Sequence, residues 1–428
     1  VVVNPNGKIV SSTGVVYTAE TAPMIYHNTS GGYSSSTIQP VNVDYLREGY
    51  IHVTVATRGK ETKSVVNELT GTYVRNSMDA TKDAEGEYIG QFPAIMVDLK
   101  AGIRYLKAND GVLPGNSERI ISRGFSSGGA VSAMLGASGN SPIFDSYLKE
   151  IGAADATDDI FIALASAPIT NLSSADASYE WFQFANEEYF LFNAMAFDRE
   201  GNNISDILPV GMTNFHKLGD NVLGGVHEKD LSAKLYAWFV DYVQGLGFDL
   251  GDDGRSGEFY EGFAQIYSEA LTEFVARYDE LKSLLNSRKY TAPETAEEYL
   301  ADIQGKDDPW FTYDPATGAV TIKSLDAMVY NYLNRGKMCP SLDSYNYRSN
   351  ENNAFTAPDG TTLHFSWVVS DALEELYEEY QAGQHQDWDQ DDVDYLVALI
   401  GDYKAGLSDD SAYMLEVMSP INYIVAQD

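Results

Sequence analysis

"RIISRGFSSGGAVSAMLGA", residues 119–137, reads as a short apolar strand, a glycine-rich turn and a helix. At its centre Gly124-Phe125-Ser126-Ser127-Gly128 fits the G-x-S-x-G pattern of a nucleophile elbow. The chemistry asks for this shape. A sharp strand-to-helix turn lifts the serine Oγ above a sheet, and the flanking glycines remove side chains that would strike neighbouring backbone. The N-terminus of the following helix favours negative charge as it develops. Ser126 is therefore the candidate catalytic nucleophile, and the backbone N–H of Ser127 the candidate for one half of an oxyanion hole. The other half is expected from an early glycine-rich loop after a strand. "HNTSGGY", 27–33, is such a loop, and its Gly31, with Gly32 beside it, is placed there.

Outward from the elbow, residues 23–170 alternate between strand and helix patterns. "APMIYHN" (22–28) and "YIHVTVATRG" (50–59) read as strands rich in β-branched and aromatic residues. "FPAIMVDLKAGIRYLKAN" (92–109) has helical spacing in Ile95, Met96, Leu99, Ile103 and Leu106, and "DIFIALASAPIT" (159–170) reads as a further buried strand. Apolar strands alternating with helices predict an α/β fold, a parallel sheet covered by helices on both faces. From 171 to 410 long helical patterns dominate instead. Phe263, Ile266, Tyr267, Ala270, Phe274, Tyr278 and Leu281 mark one apolar face, and Leu373, Leu376, Tyr377 and Tyr380 mark another. The acid-rich run over 371–410 reads as a solvated helical surface.

Charge and composition narrow the partners. The 428 residues carry 63 Asp and Glu against 28 Lys and Arg, a net charge of -35, which repels nucleic acid and anionic lipid. No apolar run is long enough to span a membrane, and the N-terminal stretch lacks the pattern of a signal peptide. A single cysteine, Cys339, excludes an intramolecular disulfide without deciding between an extracellular and a cytoplasmic setting. No cofactor is implied. No metal site is expected either: there is no zinc-type His or Cys pair, and "DWDQDDVD" (387–394) starts like a calcium loop but lacks its central glycine and its closing glutamate.

A serine nucleophile needs a histidine base and an acid to orient it. The six histidines are His27, His52, His216, His227, His364 and His385. None follows a late strand of the sheet, where this fold places its base. His52 lies in a strand pattern, and His364 and His385 lie within the helical stretch.

These residues carry a resemblance. "TAPMIYHNTSGGY" (21–33), "FPAIMVDLKAGIRYLKANDGVLPGNSERIISRGFSSGG" (92–129), "GASGNSPIFDSYLKEIGAADATDDIF" (136–161), "PITNLSSADASYEW" (168–181), "KMCPSLDSYNYRSNENNAF" (337–355) and "MSPINYI" (418–424) are similar to bacterial tannases. Those are serine esterases of the α/β-hydrolase fold with a large, mainly helical lid inserted into the core. The resemblance implies a core over 1–168, a lid over 169–410 and a return to the core over 411–428. It implies an activity, hydrolysis of galloyl esters through an acyl-enzyme, with a small phenolic ester as the molecule bound. Lys337, before a proline-containing turn, and Glu351, opening "ENNAF", stand where the family binds galloyl hydroxyls. Ile169 stands where it lays an apolar side chain against the gallate ring. The family also has outer core strands, a catalytic Asp, a second galloyl-binding Asp and the catalytic His in regions that match nothing in these 428 residues. By that reading the chain is a fragment whose outer strands are missing, inactive on its own. The competing readings are a feruloyl or generic carboxylesterase, and a hydrolase fold retained only for binding.

Overall fold

The computed structural model describes residues 6–67, 72–75, 86–190, 215–219, 225–286, 290–307, 309–333, 335–345, 349–355 and 363–424. The chain divides into two compact units: Val1–Ala175 with Tyr347–Phe365 and Asp402–Asp428, and Asp176–Asn346 with Ser366–Gly401. The helical stretch expected as one insertion over 169–410 is thus interrupted. Residues 347–365 and those from 402 onward group with the first unit, which puts Glu351 in the first unit and Lys337 in the second.

The first unit is built on four parallel strands, β1 (Met24–His27), β2 (Ile51–Thr54), β3 (Ile120–Phe125) and β4 (Ile162–Ser166), in the order β2-β1-β3-β4. Register is set by Met24 opposite both Ile51 and Ile120, and by Ile121 opposite Ile162. Successive side chains alternate between faces. One face carries Met24, Tyr26 and Ile120, which are buried with Ile95, Met96, Leu99 and Ile103 of helix α1 (Ala94–Ala108) and Val131, Met134 and Leu135 of helix α2 (Ser127–Ala137). The Tyr26 hydroxyl, fully buried among them, donates to the Leu99 carbonyl at 2.8 Å.

On the opposite face, the β3–β4 side departs from the expectation of covering helices. Phe125 of β3 and Ile162 and Leu164 of β4 are exposed. The run 159–170 is apolar at nearly every position and so reads as doubly buried, but only alternate residues of β4 turn inward. Buried charges lock α1 in place. Lys100 donates to Asp158 at 2.7 Å and to the carbonyl of Ser138, just past α2, at 2.7 Å, and Arg104 donates to the other Asp158 oxygen. Lys100 and Asp158 are fully buried, a placement tolerated because each finds its partner.

The second unit contains the long helices Glu228–Gly245, Gly257–Ala276 and Trp367–Gln381. A hairpin, Phe311–Asp314 with Ala319–Ile322, is pinned to the second of these. The Val320 N–H donates to Thr272 Oγ1, and the Ile322 N–H to Ser268 Oγ. Tyr278, Tyr299, Trp310, Phe311 and Val329 fill the core beneath it. The acidic run at 387–394 does the work of a helix cap. The Asp389 N–H donates to an Asp392 carboxylate oxygen and the Asp392 N–H donates back to Asp389, at the start of helix Gln390–Gly406.

Candidate active site

Ser126 sits between the last residue of β3 and the first of α2, exposed, with φ 58° and ψ −125°. A side-chain-bearing residue reaches this region only where its surroundings over-determine it. Here they do. The Ser126 N–H donates to the Ser166 carbonyl at the end of β4 at 2.9 Å, and its carbonyl accepts from the Ala130 N–H. The glycines on either side permit the turn. A Cβ on Gly124 would stand 2.1 Å from the Gly128 carbonyl oxygen, and one on Gly129 would stand 2.2 Å from the Ser166 carbonyl oxygen. Beneath the elbow, the Asn28 Nδ2 donates to Ser132 Oγ at 2.6 Å, and Ser122 Oγ donates to the same oxygen. The N–H of Ser127 is among the first of α2, where no carbonyl of the helix's own preceding turn is available to it.

The glycine-rich turn Gly31–Tyr33 is fastened directly to the elbow. The Ser127 hydroxyl donates to the Ser30 carbonyl at 2.6 Å and accepts from the Tyr33 N–H at 3.1 Å. Gly32 is in the left-handed region at φ 60°, and the Asn350 side chain covers it so closely that a Cβ there would lie 2.8 Å from Asn350 Nδ2. The amide of Gly31 itself is engaged, donating to the Thr29 carbonyl at 2.8 Å, so it is not the bare donor that its place in the sequence suggests.

Glu351 is the second residue of the short helix Asn350–Phe355 and is buried. This helix is held against the same turn, and the Phe92 N–H donates to the Ala354 carbonyl at 2.8 Å. Burial, and after it the charge of Glu351, raise the pKa of Tyr33. Burial lowers that of Lys60, while Glu61 and Glu351 act to raise it. Tyr33, Lys60 and Glu351 are therefore electrostatic neighbours. Ile169 is half-buried on the first unit's core, and the next residues tie that segment to the start of the turn Pro420–Tyr423: Ile421 N–H to the Thr170 carbonyl, Leu172 N–H to Ser419 Oγ.

Lys337, half-buried in the second unit, rides on a segment held by buried acids. Arg335 and Glu180 form a fully buried ion pair, and Arg335 Nε also donates to the Lys337 carbonyl. The Gly336 N–H donates to the Tyr179 hydroxyl, Cys339 N–H to Glu228, and the N–H groups of Leu342 and Asp343 to the two oxygens of Asp176. Burial, with the neighbouring Asp343 second, pushes the Asp176 pKa up to about 7. Burial raises Glu228 to about 8. No motif or spacing assigns a role to Asp176, Glu180 or Glu228, which are brought to this segment from more than a hundred residues away.

The histidines are spread through both units. His27 ends β1 with its ring 5.7 Å from that of His52, and burial depresses the pKa of both. His364 is buried and stacked on Tyr403. His385 stacks on Trp388 and meets Glu379 at 3.1 Å. His216 and His227 are buried in the second unit.

Comparison with known proteins adds to this geometry. The BD-FAE family model matches residues 43–209. No curated protein matches the chain. Among solved structures, a tannase from Fusobacterium nucleatum is 27% identical with a TM-score of 0.62, covering 95% of this chain and 73% of its own. A tannase from Lactobacillus plantarum is 27% identical with a TM-score of 0.63, covering 96% of this chain and 73% of its own. A tannin acyl hydrolase in complex with ethyl gallate is 26% identical with a TM-score of 0.62, covering 95% of this chain and 71% of its own. With its parallel sheet, its strand-to-helix turn at Ser126 and this likeness over nearly its whole length, the chain is similar in structure to the bacterial tannases, with an α/β-hydrolase-like fold.

Proposed function

We propose that the chain belongs to a serine esterase that hydrolyses galloyl esters through an acyl-enzyme. The observation that carries this reading is the exposed Ser126, held at positive φ between β3 and α2, in a chain similar to a hydrolase bound to ethyl gallate. Ser126 Oγ attacks the ester carbonyl. The developing oxyanion is met by the N–H of Ser127 and by the Gly31–Gly32 turn. Because Gly31 donates to Thr29, its amide serves only if that bond opens, and the Gly32 amide is the alternative donor from the same turn. Lys337 and Glu351 hold the phenolic edge, and Ile169 lies against the ring. A histidine base takes the Ser126 Oγ proton during the attack and returns it to the departing alcohol, and water, giving its proton to the same base, then resolves the acyl-enzyme.

The test is methyl gallate hydrolysis by the natural full-length protein and its Ser126→Ala variant. Loss of the nucleophile in a serine triad costs on the order of 10⁶ in kcat. A Ser126→Ala variant that keeps its rate would end the reading. Lys337→Ala and Glu351→Gln are expected to raise KM for methyl gallate while leaving methyl benzoate, which has no ring hydroxyls, nearly unaffected. Equal losses on both esters would favour a generic carboxylesterase.

A further inference from the structure

The turn that faces the nucleophile elbow is clamped by a residue that no motif marks. Lys60 Nζ donates to the Gly32 carbonyl at 2.7 Å and to Ser34 Oγ at 2.8 Å, and the Lys60 N–H donates to the Tyr33 carbonyl at 3.0 Å. The Gly32 carbonyl and the Tyr33 N–H belong to one peptide unit, which is planar. Its oxygen is held by Lys60, and its N–H is shared between Ser127 Oγ and the Ser30 carbonyl, each at 3.1 Å. Pinning both polar ends of a plane fixes its rotation. That matters here because Gly32, without a Cβ, is otherwise free to turn about its backbone bonds.

The surrounding backbone is built to bring Lys60 to this place. A Cβ on Gly59 would stand 1.9 Å from the Ser35 nitrogen, and one on Gly90 would stand 1.7 Å from the Gly59 carbonyl oxygen, so three backbone segments pack in direct contact. Gln91 Nε2 donates to the Lys60 carbonyl, and Glu61 accepts from the N–H and the hydroxyl of Ser35. The ammonium is half-buried, with Glu61 and Glu351 as the charges that favour its ionised form.

We propose that Lys60 is a positioning residue for the oxyanion turn: its ammonium on the Gly32 carbonyl, opposed by Ser127 Oγ on the Tyr33 N–H, sets the direction in which the Gly31–Gly32 amides point. The inference rests on the esterase reading of Ser126. It adds a residue that the resemblance does not assign and gives the side chain of Ser127 a role separate from its backbone N–H. The oxyanion arises whatever the acyl group, so a defect in this clamp falls on the chemical step of every ester.

The experiment compares Lys60→Met, Lys60→Arg, Ser127→Ala and Ser126→Ala in the natural full-length protein, with methyl gallate and methyl benzoate as substrates. Removing one oxyanion donor outright costs about 10²–10³ in kcat, so loosening the turn through Lys60→Met is expected to cost about 10–100-fold on both esters. KM and the melting temperature should stay close to wild type, and Lys60→Arg should recover most of the rate. An unchanged kcat in Lys60→Met, or a loss confined to KM, overturns the proposal. So does a loss on methyl gallate alone, which would place Lys60 in galloyl recognition through Glu351. If Lys60→Met fails to fold, Ser127→Ala removes one of the two acceptors at the other end of the same peptide, leaving the Ser30 carbonyl, and is judged by the same readouts. Activity retained in Ser126→Ala would instead refute the esterase reading, and this inference with it.

Discussion

Ser126 holds a conformation that works against folding. A residue with a Cβ at φ 58° and ψ −125° costs about 1–3 kcal/mol, and this cost is met by the bonds from Ser166 and Ala130 and by the close approach of Gly124, Gly128 and Gly129. Glycine adopts the same backbone without that cost, although it gives back about 0.4–1 kcal/mol through its freer unfolded chain. Ser126→Gly is therefore expected to be about 1 kcal/mol more stable than Ser126→Ala, with both inactive. Urea midpoints of the two variants measure this, and equal midpoints would show that no strain is stored at the elbow. Ser126 was legible in the sequence because its constraint is local: two glycines at fixed spacing between a strand and a helix. Lys60 was not. It stands in "TRGKET" with no periodicity and no motif, and its place depends on Gly59 meeting Ser35 and Gly90 meeting Gly59, contacts that only the folded chain creates.

At the scale of elements, the segment from Arg335 to Asp343 shows how a short motif depends on distant support. Its flanking residues are visible in "KMCPSLD", but its amides end on Tyr179, Glu228 and Asp176, which no spacing rule connects to it. The same limit applies to helix Asn350–Phe355. The family resemblance placed it within one long insertion, whereas it groups with the first unit beside Tyr33. The buried acids also make stability depend on pH. Asp176 and Glu228 have folded pKa values near 7 and 8, above their ordinary ones, so the folded chain binds more protons than the unfolded chain between those limits. Their contribution is fully present below pH about 4 and is lost as pH rises through 7 and 8, at no more than about 1.4 kcal/mol per pH unit for each group. His27 and His52, with pKa values lowered by burial, act in the opposite sense near neutrality. The informative quantity is thus the difference between wild type and Glu228→Gln in urea unfolding at pH 5 and pH 8. Wild type is expected to lose more stability than the variant over this interval. Parallel losses would show that Glu228 is ionised throughout.

Over the whole molecule, two opposing surface properties decide behaviour in solution. The net charge of -35 drives copies apart, while the sheet presents Phe125, Ile162 and Leu164 on its open face, with Phe161 exposed just before β4. Among the described residues β4 has a partner strand on one side only. An edge strand with exposed apolar side chains is a template for pairing with another copy. Which property wins depends on salt, because repulsion between exposed charges is screened over about 30 Å at 0.01 M but about 10 Å at 0.1 M and 3 Å at 1 M, whereas apolar contact is not weakened in this way. The 428-residue chain is therefore expected to be dispersed in dilute buffer and to associate as salt is added. Leu164→Lys separates the two effects. It reduces the net negative charge by one, so it cannot improve repulsion, and any gain in dispersion must come from the apolar surface it removes and the charge it sets on the edge. Light scattering across a salt titration should show wild type associating and Leu164→Lys remaining dispersed to higher salt. A wild-type chain that stays monomeric at high salt, or a variant that associates as wild type does, would place the sticky surface elsewhere.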